Sequence, residues 1–341
     1  MKLAVDALNL LNDGRGMGRY VRHALRDLAA RDDLSLTLLV RDADRAAEYR
    51  AIAGPNTRVA ELAGAAKRGA YDVVWYPWNA LRFPAHAPTL VTINDDFAFR
   101  YPARGFVARY REQVPIRRGI KRATRIATIS AWSREAISAR FRLDPDTIAL
   151  IPLAPDPLFV PGIEHAAFGE KFVLAVGSGE VRKNISFLTD VMTRAFPEGD
   201  VRFVLVGTLD ARSRQRVHRA RIPLTEVAGI DDSSLRTLYR TATLTAVPSL
   251  AEGFGLVAAE ALACGSSVIA ANTSALPEAV GDAGVLLDPR FADAWVDALR
   301  SIVRDPLLNA TLRARAAARW SASAREQMTP AIERLLRSLC A

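Results

Sequence analysis

The sequence predicts an α/β protein with two doubly wound, Rossmann-like domains, each built on a parallel sheet. The chain has 341 residues, which is more than one hydrophobic core usually organises. Short apolar runs alternate with helical segments, a pattern typical of βα units. A proline-rich segment at 153–162 divides this alternation into two halves. We therefore expect domains at 1–152 and 163–321, joined by a linker at 153–162.

The first half contains a strand at 2–6, a glycine-rich loop and a helix with one apolar face. The apolar face consists of Tyr20, Val21, Ala24, Leu25 and Leu28. Further buried strands are expected at 36–40, 72–77, 89–93, 125–130 and 147–152. A polar helix is expected at 43–53, and Ser130 is a good N-cap for a helix between the last two strands.

The second half repeats this arrangement of strands and helices. Strands are expected at 172–177, 202–207, 244–249 and 267–271. Helices are expected after Asn184 and at 233–241, 256–263, 291–303, 307–320 and 322–340. The alternation again favours a doubly wound unit, because each strand is followed by a loop and then by a helix.

A strand, a tight loop and the start of a helix occur together between Ala246 and Gly265. Two glutamates, Glu252 and Glu260, flank the turn Gly253-Phe254-Gly255. A helix N-terminus favours an anion such as phosphate, and carboxylates accept hydrogen bonds from paired hydroxyls. These residues indicate a ligand with phosphates and sugars, but the residue types alone leave a solvated glutamate and an ordinary turn equally open.

Two longer sequence segments around these glutamates support a ligand with phosphates and sugars. PSLAEGFGLVAAEALACG at 248–265 and SVIAANTSALPEAVGDAGVLLDP at 267–289 resemble the donor-binding signature of family 4 glycosyltransferases of the GT-B fold. The resemblance implies two Rossmann-like domains facing a cleft and a helix at 322–341 that crosses back to the N-terminal domain. It also implies retaining transfer from a nucleotide diphosphate sugar, with no metal and no cofactor besides this co-substrate.

The resemblance assigns donor binding to the second half of the chain. Glu252 would hold the donor sugar as a catalytic residue, and Glu260 would bind the ribose. The other donor-binding positions would act mainly through backbone groups; they are Gly253, Phe254, Gly255, Leu256, Gly229 and Ile230.

Arg182 and Lys183 follow the strand at 172–177 and are suitable counter-charges for a diphosphate leaving group. With Asn184 they resemble the Arg-Lys-Asn element of a subset of the family that includes many mannosyltransferases. This resemblance favours GDP-mannose as the donor. Many relatives carry an arginine where this chain has Ser178, and Arg182 is the candidate to substitute for it.

The first half supplies a second group of candidate residues. GMGRY at 16–20, with Asp6 ahead of it, resembles the first loop of the same family. The resemblance implies that Gly16 lies over the donor diphosphate and that Arg19 is near the acceptor. Asn94 stands where the family usually carries a histidine, and an amide can hydrogen-bond a hydroxyl but cannot take up a proton.

Two further acceptor candidates each have an ordinary structural explanation. Trp78 follows a buried strand, and its ring could stack on a sugar or belong to the core. Asp95 could contact the acceptor or, with Asp96, cap a turn. No pair of carboxylates suits a double displacement. In the family the acceptor hydroxyl is thought to attack on the leaving-group face while the diphosphate accepts its proton.

Positive charge is concentrated in one segment of the chain. The formal net charge is +9, and residues 100–125 hold nine basic residues against one acidic residue, Glu112. Interleaved apolar residues predict an amphipathic helix pair, which suits either peripheral contact with an anionic membrane or a solvated basic face. Nucleic acid is disfavoured as a partner because no aromatic-basic RNA-binding motif occurs.

The cysteine pattern and the distribution of apolar residues favour a cytoplasmic protein, with a peripheral position at the inner face of the membrane as a further expectation. Cys264 and Cys340 have neither metal-type spacing nor a disulfide pattern. We expect neither a signal peptide nor a membrane span, because no cleavage-type site and no run of about 18 apolar residues occurs.

The expected function is retaining transfer of a hexose, with mannose favoured, to a glycan or lipid-linked glycan in surface polysaccharide biosynthesis. Two other functions compete with it. A catalytically silent sugar-nucleotide-binding or scaffold protein of the same fold would explain Asn94 and Ser178. A nicotinamide-dependent dehydrogenase is disfavoured because Gly14, Gly16 and Gly18 lack the dinucleotide-binding spacing.

Overall fold

A computed structural model of the chain shows two compact α/β units. The first unit comprises Met1–Leu153 with Glu326–Ala341, and the second comprises Ala154–Arg325. The structure describes residues 1–14, 16–62, 69–164, 168, 171–177, 179–320 and 326–340. Each unit contains one parallel sheet, so the predicted fold class is confirmed.

The N-terminal unit is built on seven parallel strands in the spatial order β3-β2-β1-β4-β5-β6-β7. The strands are β1 (Lys2–Asp6), β2 (Ser35–Val40), β3 (Arg58–Glu61), β4 (Val73–Tyr76), β5 (Thr89–Thr92), β6 (Arg125–Thr128) and β7 (Ile148–Leu150). The central strands are apolar on both faces because helices cover both sides of the sheet. The chain order reverses between β1 and β4, and open α/β sheets bind ligands outside the carboxyl ends of such strands.

The described residues of the N-terminal unit form five helices before the linker. They are α1 (Gly16–Ala29), α2 (Ala46–Ala53), α3 (Phe97–Arg100), α4 (Phe106–Arg122) and α5 (Ala131–Phe141). The predicted apolar face of α1 is buried, and the Ser130 Oγ accepts a hydrogen bond from the Ser133 N–H at 3.0 Å as the N-cap of α5.

The C-terminal unit is built on six parallel strands in the order β10-β9-β8-β11-β12-β13. The strands are β8 (Phe172–Val176), β9 (Arg202–Val206), β10 (Leu224–Val227), β11 (Leu244–Val247), β12 (Val268–Ala271) and β13 (Val285–Leu287). Here the order reverses between β8 and β11. The loops that follow these two central strands contain Arg182, Lys183 and Glu252.

The described residues of the C-terminal unit form seven helices around the second sheet. They are α6 (Ile185–Ala195), α7 (Ala211–Arg219), α8 (Asp232–Thr241), α9 (Leu256–Ala263), α10 (Leu276–Val280), α11 (Ala292–Arg304) and α12 (Pro306–Arg319). Helix α9 is rich in alanine and almost wholly buried, and it contacts α8, α10 and α12. Its small side chains allow three neighbouring helices to approach.

The last helix, α13 (Met328–Arg337), packs against α1 within the N-terminal unit. The Thr329 hydroxyl donates to Asp27 at 2.7 Å, and the Arg337 guanidinium forms an ion pair with Asp33 at 2.7 Å. The helix is shorter than the predicted range of 322–341, and residues 321–325 lie outside the described part of the chain.

Six elements are missing from the sequence-based expectation, and one of them is the four-residue helix α3. Strands β3, β10 and β13 lie at or near sheet edges and are partly exposed, so they lack the continuous apolar run of a central strand. Helix α7 buries only Ser213 and Val217, and α10 is a five-residue helix within a segment expected to be a loop. The segment 43–53 begins as a 3₁₀ turn, Ala43–Arg45, rather than as an α-helix.

Candidate active site

Glu252 lies in the loop between β11 and α9, and the neighbouring loop holds this segment in place. The Glu252 N–H donates to the Ser274 hydroxyl at 2.8 Å, and the Ala275 N–H donates to the Glu252 carbonyl at 3.4 Å. The Thr273 hydroxyl donates to the Ser249 carbonyl at 2.9 Å. The loop after β12 therefore supports the loop that carries the candidate catalytic glutamate.

The structure brings Glu252 together with both predicted cations. The Lys183 Nζ lies 2.7 Å from Oε1 of Glu252, and an Arg182 guanidinium nitrogen lies 3.3 Å from Oε2. The other end of the Arg182 guanidinium forms an ion pair with Glu180 at 2.8 Å. The backbones are joined as well, because the Leu250 N–H donates to the Arg182 carbonyl at 2.7 Å.

Glu252 is ionised although only 8% of it is exposed. Burial alone would raise its pKa, but the charges of Lys183 and Arg182 outweigh burial and hold the pKa below its ordinary value. The site therefore contains a charged acceptor of hydrogen bonds within reach of two charged donors. Such an arrangement can bind hydroxyl groups and a polyanion side by side.

The backbone around β8 brings the two cations close to Glu252. A 3₁₀ turn, Val181–Lys183, ends at Asn184, whose φ of 54° is in the left-handed region. The Asn184 side-chain amide donates to the Pro248 carbonyl at 3.2 Å. A Cβ at Gly177 would lie 3.3 Å from the stem of Lys183, so the glycine allows the lysine to pass close to the strand end. Ser178 lies outside the described residues.

The turn after Glu252 requires a glycine at position 255. Gly255 has a φ of +100°, and a Cβ there would lie 2.8 Å from Cδ2 of Leu276. Helix α9 begins at the next residue, Leu256, so its positive end is directed at the loop that contains Gly253. Phe254 is buried and packs edge to face against Trp320, with ring centroids 6.0 Å apart. The aromatic contact anchors the turn.

Glu260 is a buried residue of α9 and not a solvated one. It is 1% exposed, and the Tyr239 hydroxyl on α8 donates to its Oε2 at 3.2 Å. A buried carboxylate must be hydrogen-bonded, so Tyr239 helps to retain Glu260 in the core. Sequence reasoning missed Tyr239. The available signal was a tyrosine on the apolar face of the helix predicted at 233–241, where a buried hydroxyl needs a partner.

Gly229 and Ile230 lie between β10 and α8. Gly229 has a φ of +65°, and Asp231 caps α8 by accepting a hydrogen bond from the Ser234 N–H at 2.7 Å. Because Tyr239 is on the same helix, α8 links the loop of Gly229 to the environment of Glu260. These positions lie at the carboxyl end of a strand, where α/β sheets bind ligands.

Asp6 forms a second buried polar feature, at the carboxyl end of β1 in the N-terminal unit. Burial raises the pKa of Asp6 to about 6. A hydrogen bond from the Leu8 N–H at 3.0 Å lowers the pKa and offsets only part of this effect. Among the described residues, its Oδ2 has no hydrogen-bond partner. A carboxyl group with a raised pKa is typical of a functional site, although buried structural groups show the same shift.

Asn94 is buried and held by its neighbours. Oδ1 of Asn79 accepts hydrogen bonds from the Asn94 backbone N–H at 2.6 Å and from its side-chain amide at 2.8 Å. The Ser133 hydroxyl donates to the Asn94 carbonyl at 2.7 Å. The Oδ1 of Asn94 has no hydrogen-bond partner within the part of the chain that the structure describes. Sequence reasoning did not assign a role to Asn79, whose φ of 61° is in the left-handed region.

The other N-terminal candidates occupy different environments. Gly16 begins α1, and Arg19 is half-buried on the first turn of that helix. The Asp95 carboxylate accepts a hydrogen bond from the Phe97 N–H at 3.0 Å, as a turn-capping residue does. Asp96 is buried between Arg100 and Arg140, with ion-pair distances of 2.7 and 2.8 Å, so it has a structural role.

Trp78 belongs to the core of the N-terminal unit. It is 2% exposed, and its indole N–H donates to the Asp6 carbonyl at 2.6 Å. The ring is almost wholly covered in the structure, and an acceptor role for Trp78 stays a prediction. The buried indole instead satisfies its hydrogen bond at the end of the neighbouring strand.

No helix in the described residues is long and apolar enough to span a membrane. No group of three or more His, Cys, Asp or Glu side chains in this part of the chain is arranged to hold a metal ion.

Curated relatives of the chain are glycosyltransferases. It is 30% identical over 190 residues to the MMP alpha-(1->4)-mannosyltransferase of Mycolicibacterium hassiacum, covering 53% of this chain and 46% of that protein. It is 31% identical over 202 residues to O-antigen chain mannosyltransferase B of Escherichia coli, covering 54% and 53%. The chain thus spans about half the length of these curated relatives.

Solved structures support the fold, and one family matches the second unit. The sucrose-phosphate synthase from Thermosynechococcus elongatus superposes with a TM-score of 0.71 and 21% identity, covering 99% of each chain. At this identity the likeness shows the shared fold, which is that of GT-B glycosyltransferases. Residues 170–305 match the family described as Glycosyl transferases group 1. The chain therefore carries a glycosyl transferases group 1 domain, in the unit that contains Glu252, Arg182 and Lys183.

Proposed function

We propose that this protein is a retaining glycosyltransferase that moves a hexose, with mannose favoured, from a nucleotide diphosphate sugar to a glycan or lipid-linked glycan. The observation that carries the proposal is the buried cluster of Glu252 with Lys183 and Arg182, at the carboxyl ends of central strands and beside the start of α9. The cluster lies inside the glycosyl transferases group 1 domain.

The two cations suit a departing diphosphate. Breaking the bond between the anomeric carbon and the phosphate oxygen places negative charge on the leaving group, and Lys183 and Arg182 would stabilise that charge. The positive end of α9 would add to the same field. The donor's phosphates would share the two cations with Glu252, which remains ionised and accepts hydrogen bonds from the sugar hydroxyls.

The electrostatics of Glu252 favour a binding role over a nucleophilic or basic one. A carboxylate held by two cations and with a lowered pKa is a weak base and a weak nucleophile. The acceptor hydroxyl would then attack the anomeric carbon on the face that the diphosphate leaves. Its proton would pass to an oxygen of the departing diphosphate, so no protein base is required and Asn94 is compatible with turnover.

The donor and acceptor are proposed from chemistry and from the relatives. Both relatives are named mannosyltransferases, and one is named for the O-antigen chain, which favours mannose and a surface polysaccharide. The Arg182-Lys183-Asn184 element favours GDP as the nucleotide. Glu260, Gly229 and Ile230 are proposed to contact the nucleoside, with Gly253, Phe254, Gly255 and Leu256 at the sugar and diphosphate.

We also propose roles for the candidate residues of the N-terminal unit. Gly16 is assigned to the donor phosphates, Arg19 and Asp95 to the acceptor, and Asn94 to a hydroxyl contact. We propose that no metal or other cofactor takes part, because Arg182 and Lys183 supply the positive charge at the leaving group. We also propose a cytoplasmic protein that contacts an anionic membrane through residues 100–125.

A catalytically silent sugar-nucleotide-binding protein of the same fold is the second candidate. Asn94 favours it, because an amide cannot accept the proton that a histidine could. Slow release of nucleoside diphosphate from a matched donor separates the two functions. A silent protein would bind the donor and release none above the level of a Glu252→Ala variant.

The first experiment is a thermal-shift screen with GDP-, UDP-, dTDP- and ADP-sugars. We expect the largest stabilisation with GDP-mannose and a much smaller one in the variant Lys183→Met. Turnover is then measured as nucleoside diphosphate release with the best donor. Equal turnover by wild type and Glu252→Ala would refute the assignment of the site, and stabilisation by no sugar nucleotide would refute the function.

A further inference from the structure

We propose that the first turns of α4 form a membrane-insertion surface, defined by Phe106, Val107 and Tyr110, and that the basic residues farther along the helix bind anionic lipid headgroups. The inference deepens the proposed contact with an anionic membrane. It rests on the proposed function in one respect, because a lipid-linked acceptor would bring the enzyme to the membrane.

The start of α4 projects from the surrounding structure. Every residue from Phe106 to Glu112 is exposed, although the segment is regular helix. Phe106 is 81% exposed, Val107 61% and Tyr110 57%. Three large apolar side chains on adjacent turns are thus presented to the surroundings, an arrangement that usually marks an interaction surface.

The packing of the helix shows which side faces outward. At Gly119 a Cβ would lie 3.1 Å from the Val91 side chain of β5, so the helix sits directly against the sheet there. The Gln113 side-chain amide donates to the Ala98 carbonyl at 2.8 Å, and the Leu81 N–H donates to the Pro115 carbonyl at 3.1 Å. The opposite side of the helix is therefore directed away from the sheet.

The outward side has an apolar end and a basic end. At about 100° per residue, Phe106, Val107, Tyr110 and Lys121 fall on the side opposite Gly119, and Arg111 and Arg118 lie on the adjoining flank of the helix, about 80–100° from Gly119. The apolar residues precede the basic ones along the helix axis. A helix lying on a bilayer uses such an arrangement, because its apolar side chains enter the interface while its cations remain among the headgroups.

Positive charge is in excess in this segment, and among the described residues only Arg100 of it has an ion pair, with Asp96 at 2.7 Å. Residues 100–125 hold nine basic residues and one acidic residue, which is nearly the whole formal net charge of +9. No carboxylate of the described chain lies within ion-pair distance of Arg111, Arg118 or Lys121. Some arginines elsewhere on the surface are paired, for example Arg214 with Glu226 at 2.8 Å.

The combination selects an anionic bilayer as the partner. Unpaired cations require an anionic surface, and exposed Phe106 and Tyr110 require an apolar layer next to it. Their rings stack on each other at 6.3 Å along one helix face, so they form a single apolar projection that suits the acyl boundary. A nucleic acid would satisfy the charges but would leave Val107 exposed to water.

Flotation with lipid vesicles tests the inference on the full chain. We expect binding to phosphatidylcholine vesicles that contain phosphatidylglycerol, weakening with added salt, and no binding to phosphatidylcholine alone. Replacement of Arg111, Arg118 and Lys121 by glutamine should weaken binding by about fivefold for each charge removed. The variant Phe106→Ser with Tyr110→Ser should weaken it roughly tenfold.

Matched variants of the C-terminal unit control for general effects of charge and apolarity. Leu307 is also 81% exposed, so Leu307→Ser removes an equally exposed apolar side chain. Arg212, Arg219 and Arg315 are exposed as well, and their replacement by glutamine removes three charges. We expect both controls to bind vesicles as the wild type does. Equal weakening by the controls would overturn the proposal.

A dye at position 106 reports insertion directly. An environment-sensitive fluorophore is attached to Phe106→Cys in a Cys340→Ser background, where the remaining Cys264 is buried. Its emission should shift to the blue on anionic vesicles, whereas a dye at Leu307→Cys should not shift. Absence of a shift at position 106, or tighter binding to single-stranded RNA than to vesicles, would overturn the membrane assignment.

Failure of this inference is distinguishable from failure of the proposed function. Thermal shift with sugar nucleotides is measured for every variant, and the α4 variants should retain the response of the wild type. Donor binding without vesicle binding would refute the membrane-insertion surface alone. Vesicle binding without donor binding would support the surface and refute the proposed function.

Discussion

The pair of Lys183 and Glu252 provides the sharpest test of the site, through the variants Lys183→Met, Glu252→Gln and their combination. The Lys183 Nζ lies 2.7 Å from the carboxylate, and the two side chains are only 14% and 11% exposed. Removing one partner of a buried ion pair leaves a buried charge, which usually costs about 3–5 kcal/mol. Because Arg182 remains 3.3 Å from Glu252, we expect about 2 kcal/mol for Lys183→Met.

The double variant separates stability from activity. It contains neither the buried lysine nor the carboxylate charge, so we expect it to be less destabilised than the sum of the single variants by about 1–2 kcal/mol. Activity should not recover in the double variant. The leaving group has lost a stabilising cation, and the donor sugar has lost a carboxylate that accepts its hydrogen bonds. We expect kcat/KM to fall by about 10²–10³ in each single variant and at least as far in the double variant.

The assays are urea unfolding for the free energy of unfolding and nucleoside diphosphate release for turnover. Lys171→Met is the matched control, because the Lys171 ammonium donates to the Val303 carbonyl at 3.0 Å rather than to a carboxylate. The control should retain turnover. Additive destabilisation within about 0.3 kcal/mol would refute the ion-pair reasoning, and wild-type turnover by Lys183→Met would refute the role of the lysine.

The pH dependence of stability gives an independent check on the same pair. The pKa of Glu252 is lowered in the folded protein from an ordinary value of 4.5, so its ion pairs stabilise the protein fully above that pH. This stabilisation is lost as the pH falls below 4.5 through the folded-state pKa. The difference in free energy of unfolding between wild type and Glu252→Gln should therefore shrink on acidification, and a constant difference would contradict the assigned shift.

Three further predictions concern other parts of the two units. Tyr239→Phe removes the hydroxyl that donates to buried Glu260 at 3.2 Å, so we expect the free energy of unfolding in urea to fall by about 1 kcal/mol. We also expect weaker nucleotide binding by calorimetry, and unchanged binding would argue against a nucleoside contact by Glu260. The pKa of Asp6 is raised from 3.8 to about 6 in the folded protein, so the free energy of unfolding should fall as the pH rises between these values. Unfolding curves of Asp6→Asn should lack this dependence on pH. Gly255→Ala places a Cβ in a backbone with φ of +100° and 2.8 Å from Leu276, so it should destabilise by about 2 kcal/mol or more. Gly179→Ala, whose Cβ would have no atom of the described residues beyond its chain neighbours within 4 Å, should be nearly neutral.

Local patterns predicted the central strands and the amphipathic helices because these elements carry their signal in neighbouring residues. The apolar face of α1 and the cap at Ser130 are examples. Edge strands such as β3 and β10 carry mixed side chains, since only part of each strand is covered. Their existence depends on pairing with β2 and β9, which no local pattern records.

The candidate site divides in the same way between local sequence and tertiary structure. The residue types that follow β8 and β11 could be predicted locally, because glycines, cations and a glutamate come at short range after these strands. The sequence could not determine that Lys183 and Glu252 form an ion pair, since their loops are 69 residues apart and meet only when the two strands pair. The tertiary structure also decided the environments of Glu260, which is buried beneath Tyr239, and Trp78, which is part of the core. Burial and ion pairing set the charge state of these groups, and both arise from packing between segments that are distant in the chain.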